Sequence, residues 1–152
     1  MSGVALRAEG DFADIDNVLG GLIDFGENPF EFLDEIGGEL VTSTQFRFDD
    51  GQAPDGTPWK TSQRAEATGG KTLKKSGLLA DSITHDATQQ YVEWGTDNEV
   101  YAAIHQFGGE TGSISRKARF EMPARPYLGL NAEDEKMIED VAFEFISDAV
   151  GL

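Results

Sequence analysis

The sequence predicts an α+β protein, with helices packed on a small, mostly antiparallel β-sheet and a long C-terminal helix. Apolar residues recur at helical spacing up to residue 48 and again from residue 137. Apart from a short run at residues 4–8, runs that read as strands, bounded by turn residues, lie in the middle and later part of the chain. The resulting order is two or three helices, a hairpin, a short helix, a strand and a final helix, which lacks the βαβ alternation of a parallel sheet. At 152 residues the chain fits a single domain, 1–152, able to bury one core. No internal repeat is visible.

Val4 to Ala8 reads as a short first strand. From Asp14, the residues Ile15, Val18, Leu19, Leu22 and Ile23 form the stripe of a first helix. Asp11 or Asp14 can cap it, and Gly26 and Asn28 end it. Pro29 suits the start of a second helix, with Phe30, Leu33, Ile36, Leu40, Val41, Thr44 and Phe48 inward and Glu31, Asp34, Glu35 and Glu39 outward. Gly37 and Gly38 each cost that helix roughly 1 kcal/mol relative to alanine, which points to close packing or a bend there. Residues 49–59, DDGQAPDGTPW, are turn chemistry, and Trp59 is the apolar anchor that folds the loop onto the core.

SGLLADSI, 76–83, leads into a hairpin whose arms are Ser82-Ile83 and Tyr91 to Trp94, with the turn at Asp86 to Gln89. Val92 and Trp94 share a parity and should face the same way. Val100, Tyr101, Ile104 and Phe107 space as a short helix that Gly108-Gly109 stops. The loop from Glu110 to Glu121 carries Arg116, Lys117 and Arg119 with little apolar content, and is expected to be mobile when alone. Arg125 to Leu130 reads as an extended strand with Pro126 near its start, where no ladder bond is lost. Asn131 caps the last helix, Glu133, Asp134 and Glu135 fill its first turn, and Met137, Ile138, Val141, Ala142, Phe145, Ile146 and Ala149 make its stripe.

The net charge is −16 and it is uneven. Residues 1–50 hold 12 acids and 2 bases, residues 51–130 hold 9 of each, and residues 131–152 hold 7 acids and 1 base. Gripping nucleic acid along the whole chain is therefore not expected, because phosphate contacts need lysine and arginine. The acidic surface serves solubility, or repels DNA, or docks on a basic neighbour. Zero cysteines exclude disulfides and thiolate zinc sites, which suits the cytosol. The sequence shows neither an apolar run long enough to span a membrane nor a basic-then-apolar leader.

Catalytic candidates are few. His85 lies beside Asp86, and His105 sits between Ile104 and Gln106, where a hydrogen-bonded structural role is expected of it. Two isolated histidines make no coordination set, and neither a helical HExxH pair nor a nucleophile elbow is present. TGGKT, 68–72, beside Lys60, Arg64, Lys71, Lys74 and Lys75, lacks the GxxxxGK[ST] spacing of a phosphate loop. The chain is not expected to be an enzyme or to carry a metal or a cofactor.

PDGTPW (54–59), SGLLADSI (76–83), VEWGT (92–96), YAAIHQFGG (101–109) and MPARPYLGLN (122–131) occur in that order. In these motifs the chain resembles the Mu-like phage virion morphogenesis proteins, which include the tail completion proteins of contractile-tailed phages. The resemblance runs from roughly Leu40 to Phe145, and the pair YAxIHQxG and MPARPxLG is its most specific part. Family members often have serine after the LG; Asn131 here is an equally good helix cap. The acidic first 39 residues and the loop from Glu110 to Glu121 lie outside it. The resemblance implies a structural protein for tail completion and head–tail joining, set as a ring, most plausibly a hexamer, in the neck or at the tail end. Its partners would be other copies of itself and neighbouring proteins such as the head-closure or connector protein and the tail terminator or tail tube. DNA would pass the channel without sequence-specific binding, and the chain would reside in the host cytoplasm before assembly.

On that reading Arg116, Lys117, Arg119, Met122, Arg125 and Tyr127 are the candidate interface residues. A small acidic DNA mimic that inhibits a host nuclease or DNA-binding protein is the alternative. It would place rows of acids at phosphate spacing, but it does not account for the motifs. A hydrolase relying on His105 is a third, testable by His105→Ala.

Overall fold

The longest helix is the element on which most of the others are placed. In the computed structural model, which describes residues 13–98, 101–111 and 120–152, it is α2, Phe30–Asp50, following α1, Ala13–Glu27. Then come α3 (Gln63–Thr68), α4 (Leu78–Asp81), β1 (Thr84–Ala87), β2 (Val92–Gly95), α5 (Ala102–Phe107), β3 (Gly109–Thr111), β4 (Phe120–Met122) and α6 (Ala132–Val150). β1 pairs antiparallel with β2, and β3 with β4, giving two separate two-stranded ribbons among the described residues. The α+β class holds. The expected strand at Val4 to Ala8 lies outside the described residues.

α2 buries two flanks of one helix. Ile36 and Leu40 meet Val141 of α6, with Val92 and Trp94 packed against them. Phe48, nearer the C-terminal end, belongs to a second cluster with Ala53, Trp59, Leu79, Ala80, Ile83 and Tyr127. Thr44 lies fully buried between them, its hydroxyl donating to the Leu40 carbonyl (2.7 Å) and accepting from Trp94 Nε1 (3.3 Å). Phe30, expected inward, is exposed, and Phe32 takes the inward place instead. The helix runs on through Asp49 and Asp50, and Gly51 in the left-handed region closes it. The turn therefore starts two residues later than expected. Asp55 Oδ1 accepts from the Thr57 N–H at 2.9 Å, and Trp59 lands in the core as expected.

The glycine pair in α2 admits the hairpin. A Cβ on Gly37 would lie 2.4 Å from the His85 ring and 2.8 Å from Val92, so only glycine lets β1 and β2 approach this closely. The first arm of that hairpin is Thr84–Ala87 rather than Ser82-Ile83. Ser82 instead ends α4, where its hydroxyl donates to the Leu79 carbonyl at 2.8 Å. Asp86 lies in the strand, and Thr88 makes the turn by accepting from the Gln90 and Tyr91 N–H groups. Val92 and Trp94 do share a face, the one against α2.

α6 starts with a full capping box, in which Asn131 accepts from the Asp134 N–H (2.8 Å) and Asp134 accepts from the Asn131 N–H (3.0 Å). It packs on α2 through Val141 and on α1 through an aromatic trio. Phe25, Phe32 and Phe145 stand with ring centres 5.5–6.4 Å apart. The expected stripe of α1 does not make this contact: Val18, Leu19, Leu22 and Ile23 are 37–58 % exposed, and Gly21 and Phe25 face α6. Periodicity identified residues that share a face, but the described chain covers a different one. A Cβ on Gly21 would sit 1.7 Å from the Ala149 carbonyl oxygen. Gly21→Ala is expected to push α1 off α6, raising amide hydrogen exchange across 13–27 while α2 stays protected. Unchanged exchange in α1 would refute this packing.

Candidate functional site

The motifs of the middle and late chain meet at the segment 123–130. This is irregular backbone rather than the expected strand, because its N–H groups are taken individually by partners from other elements. Gln106, on α5, is the principal one. Its Oε1 accepts from the Tyr127 and Leu128 N–H groups, both at 3.0 Å, and its Nε2 donates to the Leu128 carbonyl at 3.1 Å. The Arg125 N–H donates to the His105 carbonyl (2.7 Å), and Trp59 Nε1 donates to the Pro126 carbonyl (2.8 Å). Gly129, with φ +153°, lies so close to Pro54 that a Cβ would be 2.9 Å from it. PDGTPW, YAAIHQFGG and MPARPYLGLN are thus one assembly in space.

From the other side the segment is held by a buried ion pair. Arg47 of α2 and Asp134 of α6 are 4 % and 3 % exposed and bonded directly. Arg47 Nη1 also donates to the Tyr127 (2.9 Å) and Gly129 (2.8 Å) carbonyls, while its Nε has no partner. Ser43 donates to Asp134 and accepts from Arg47. The pair links α2, the cap of α6 and the motif backbone. Local sequence pattern does not mark Arg47, the backbone-pinning role of Gln106 or the second role of Asp134. Only the Asn131-to-Asp134 spacing of a capping box offered a signal.

The six predicted interface residues separate into three groups. Tyr127 is 1 % exposed, packs on Phe48 at 5.2 Å between ring centres, and donates its hydroxyl to the Ala102 carbonyl at 3.1 Å. Arg125 is 4 % exposed, with Nε donating to the Lys60 carbonyl (2.8 Å) and Nη1 against Met122 Sδ (3.5 Å). Both side chains are used inside the chain. Met122 is half-buried on β4. Arg116, Lys117 and Arg119 lie outside the described residues.

An open groove of about 820 Å³ runs between residues 60–64, α4, the start of α5 and β4. Lys60, Arg64 and Lys75 line it beside Leu78, Tyr101 and Phe120. His105 also lines it, stacked on Tyr101 with ring centres 6.5 Å apart. The bonding expected of this histidine is made by its carbonyl: its buried Nδ1 has no partner. Burial first, and then the Arg125 charge, lower its pKa from the ordinary imidazole value. The unfolded chain therefore takes up a proton below pH ~6.5 that the folded chain resists. His105 contributes stability that is complete above that pH and is lost as pH falls through the folded value. Urea midpoints measured down through this window should fall less for His105→Asn than for the unsubstituted chain. Parallel curves would contradict it.

Among the described residues, no group of three or more His, Asp or Glu side chains could hold a metal ion. None of the described helices is long and apolar enough to cross a membrane. The phage virion morphogenesis family matches residues 11–147. The chain belongs to that family. The match reaches back into α1, beyond the Leu40 start of the motif resemblance, and takes in the 110–121 loop. Among relatives of this phage virion morphogenesis protein, the putative capsid assembly protein G of Escherichia phage Mu is 36% identical over 120 residues, covering 73% of this chain and 75% of that one. The Mu-like prophage FluMu G protein 2 of Haemophilus influenzae is 36% identical over 107 residues, 70% of each chain. The tail completion protein S of Escherichia phage P2 is 29% identical over 117 residues, 70% of this chain and 77% of that one. No solved structure matches this family member.

Proposed function

We propose that this chain is a structural virion protein of a tailed bacteriophage that completes the tail and joins it to the head. It acts as one subunit of a ring, a hexamer, around the DNA channel in the neck or at the tail end. Its membership of the virion morphogenesis family over residues 11–147, shared with a relative named for tail completion, is the observation that carries this reading. The geometry supports it. The family motifs hold one surface segment and the β3–β4 ribbon in place, and His85 bonds Asp34 at the hairpin–α2 contact (2.9 Å). The residues of the motifs position backbone instead of converging on a reactive atom.

Within the ring, Met122 and the basic loop residues Arg116, Lys117 and Arg119 reach neighbouring proteins, the head-closure or connector protein on one side and the tail terminator or tube on the other. Arg125 and Tyr127 fix the register of that surface from inside. The acidic excess of residues 1–50 and 131–152 supplies a channel wall that repels DNA and lets it pass without sequence-specific binding. A basic lumen in the assembled ring would rule out the last point. Disrupting the gene in a phage that carries it is expected to leave complete heads and complete tails unjoined, with joining restored by the gene in trans. Infectious particles without the protein would refute the function.

A further inference from the structure

We infer that copies of this chain associate head to tail, the exposed apolar face of α1 in one copy seating in the Lys60–Lys75 groove of the next. This rests on the ring reading and names the contact that would build it. Two surfaces are otherwise unexplained. The first is the row Val18, Leu19, Leu22 and Ile23 on α1, exposed although the helix is docked on α6 by its other side. Among the described side chains of this helix the charged ones are Asp14, Asp24 and Glu27, and none is a base. The second is the groove, whose exposed apolar residues are Leu78 (68 %), Tyr101 (55 %) and Phe120 (63 %).

Charge selects between possible occupants. The chain is strongly acidic, and its other described lysines are matched: Lys71 and Lys74 on Asp49, Lys136 on Asp140. Among the described residues Lys60, Arg64 and Lys75 have no carboxylate partner, and all three stand on this one groove, with Glu121 its single acid. A basic-rimmed apolar groove fits an acidic amphipathic helix laid in by its apolar face. α1 has that pattern, with apolar residues one turn apart and Asp14 and Glu27 beside them on an otherwise uncharged or acidic helix. The groove elements are not those on which α1 packs, so the two surfaces belong to different parts of the molecule. Such an interface is heterologous: each copy offers a helix to one neighbour and a groove to the other, and the chain of contacts closes into a ring if the rotation closes.

Two double variants and their mixture test this by sedimentation and native mass measurement. Leu19→Asp with Ile23→Asp removes the face, and Lys60→Glu with Lys75→Glu removes the groove. The side chains are exposed, so both proteins should keep the circular dichroism and urea midpoint of the unsubstituted chain. Lys60→Gln with Lys75→Gln provides a milder groove variant. The unsubstituted protein should form closed oligomers, with the aspartate face variant and the glutamate groove variant monomeric at the same concentration and self-affinity down by about tenfold or more. Mixed in equal amounts, the two variants retain one good face and one good groove and should form one-to-one dimers and nothing larger.

An unsubstituted protein that stays monomeric, or a groove variant that assembles normally, overturns the proposal. Self-association lost only on altering α1, with no dimer in the mixture, shows an α1-to-α1 contact and overturns it too. Complementation of the disrupted phage separates the two claims. A monomeric double variant that still restores joined particles removes this contact and leaves the joining function standing. Normal oligomers from a gene whose loss leaves joining intact do the reverse.

Discussion

Arg47→Ala is expected to lower stability by about 3–5 kcal/mol, because it leaves the Asp134 carboxylate buried without its cation. The Tyr127 and Gly129 carbonyls lose their donor in the same step. For a domain stable by ~5–15 kcal/mol, that is a large part of the total. The check is a urea titration, in which the midpoint should fall while the slope stays constant. Asp134→Ala should be comparably damaging, since it removes both the ion pair and half of the α6 capping box. The double variant should lose clearly less than the sum of the two, as direct partners do. Full additivity would show that the contact between them contributes little.

The second large effect is expected at Tyr127. Tyr127→Ala empties the space beside Phe48 and should cost about 3–5 kcal/mol, the range for a deleted core aromatic. Tyr127→Phe keeps the ring and loses only the bond to the Ala102 carbonyl, so its cost should be about 0.5–1.5 kcal/mol. The gap between the two variants separates packing from hydrogen bonding. Equal losses would mean that the hydroxyl, not the ring, holds the motif segment. In a phage, Tyr127→Ala should act by lowering the amount of folded protein, and Tyr127→Phe should still join heads to tails.

The long helices α1, α2 and α6 were legible from their apolar period, whereas the short helices α3 and α4 were not. The apolar stripe, Asn131 and the acidic first turn located α6, and Gly37-Gly38 correctly marked close packing on α2. What escaped was mostly non-local. The hydrophobic pattern of α1 shows which residues share a face but not whether anything covers it, so Val18 to Ile23 were expected inward and stand exposed. The extended look of Arg125 to Leu130 suggested a ladder, yet its N–H groups are satisfied by Gln106, some twenty residues earlier in the chain. Arg125 and Tyr127 are candidate interface residues on what reads as an extended strand, and in the described chain both are nearly fully buried. Once that strand is a pinned segment, they are its inward anchors. Arg47 gave no sign because a lone arginine on an acidic helix reads as a surface charge until its partner, 87 residues away, is known.

The family motifs are therefore structural in the first instance: they set the placement of a segment, a ribbon and a groove at the surface. The most direct test of the proposed role is imaging of the assembled virion at a resolution that traces this fold. Density for α2, α6 and the Gln106-pinned segment should appear as repeated copies encircling the channel where the tail meets the head. Virions that are complete at that joint and contain no copy of this chain would contradict the account.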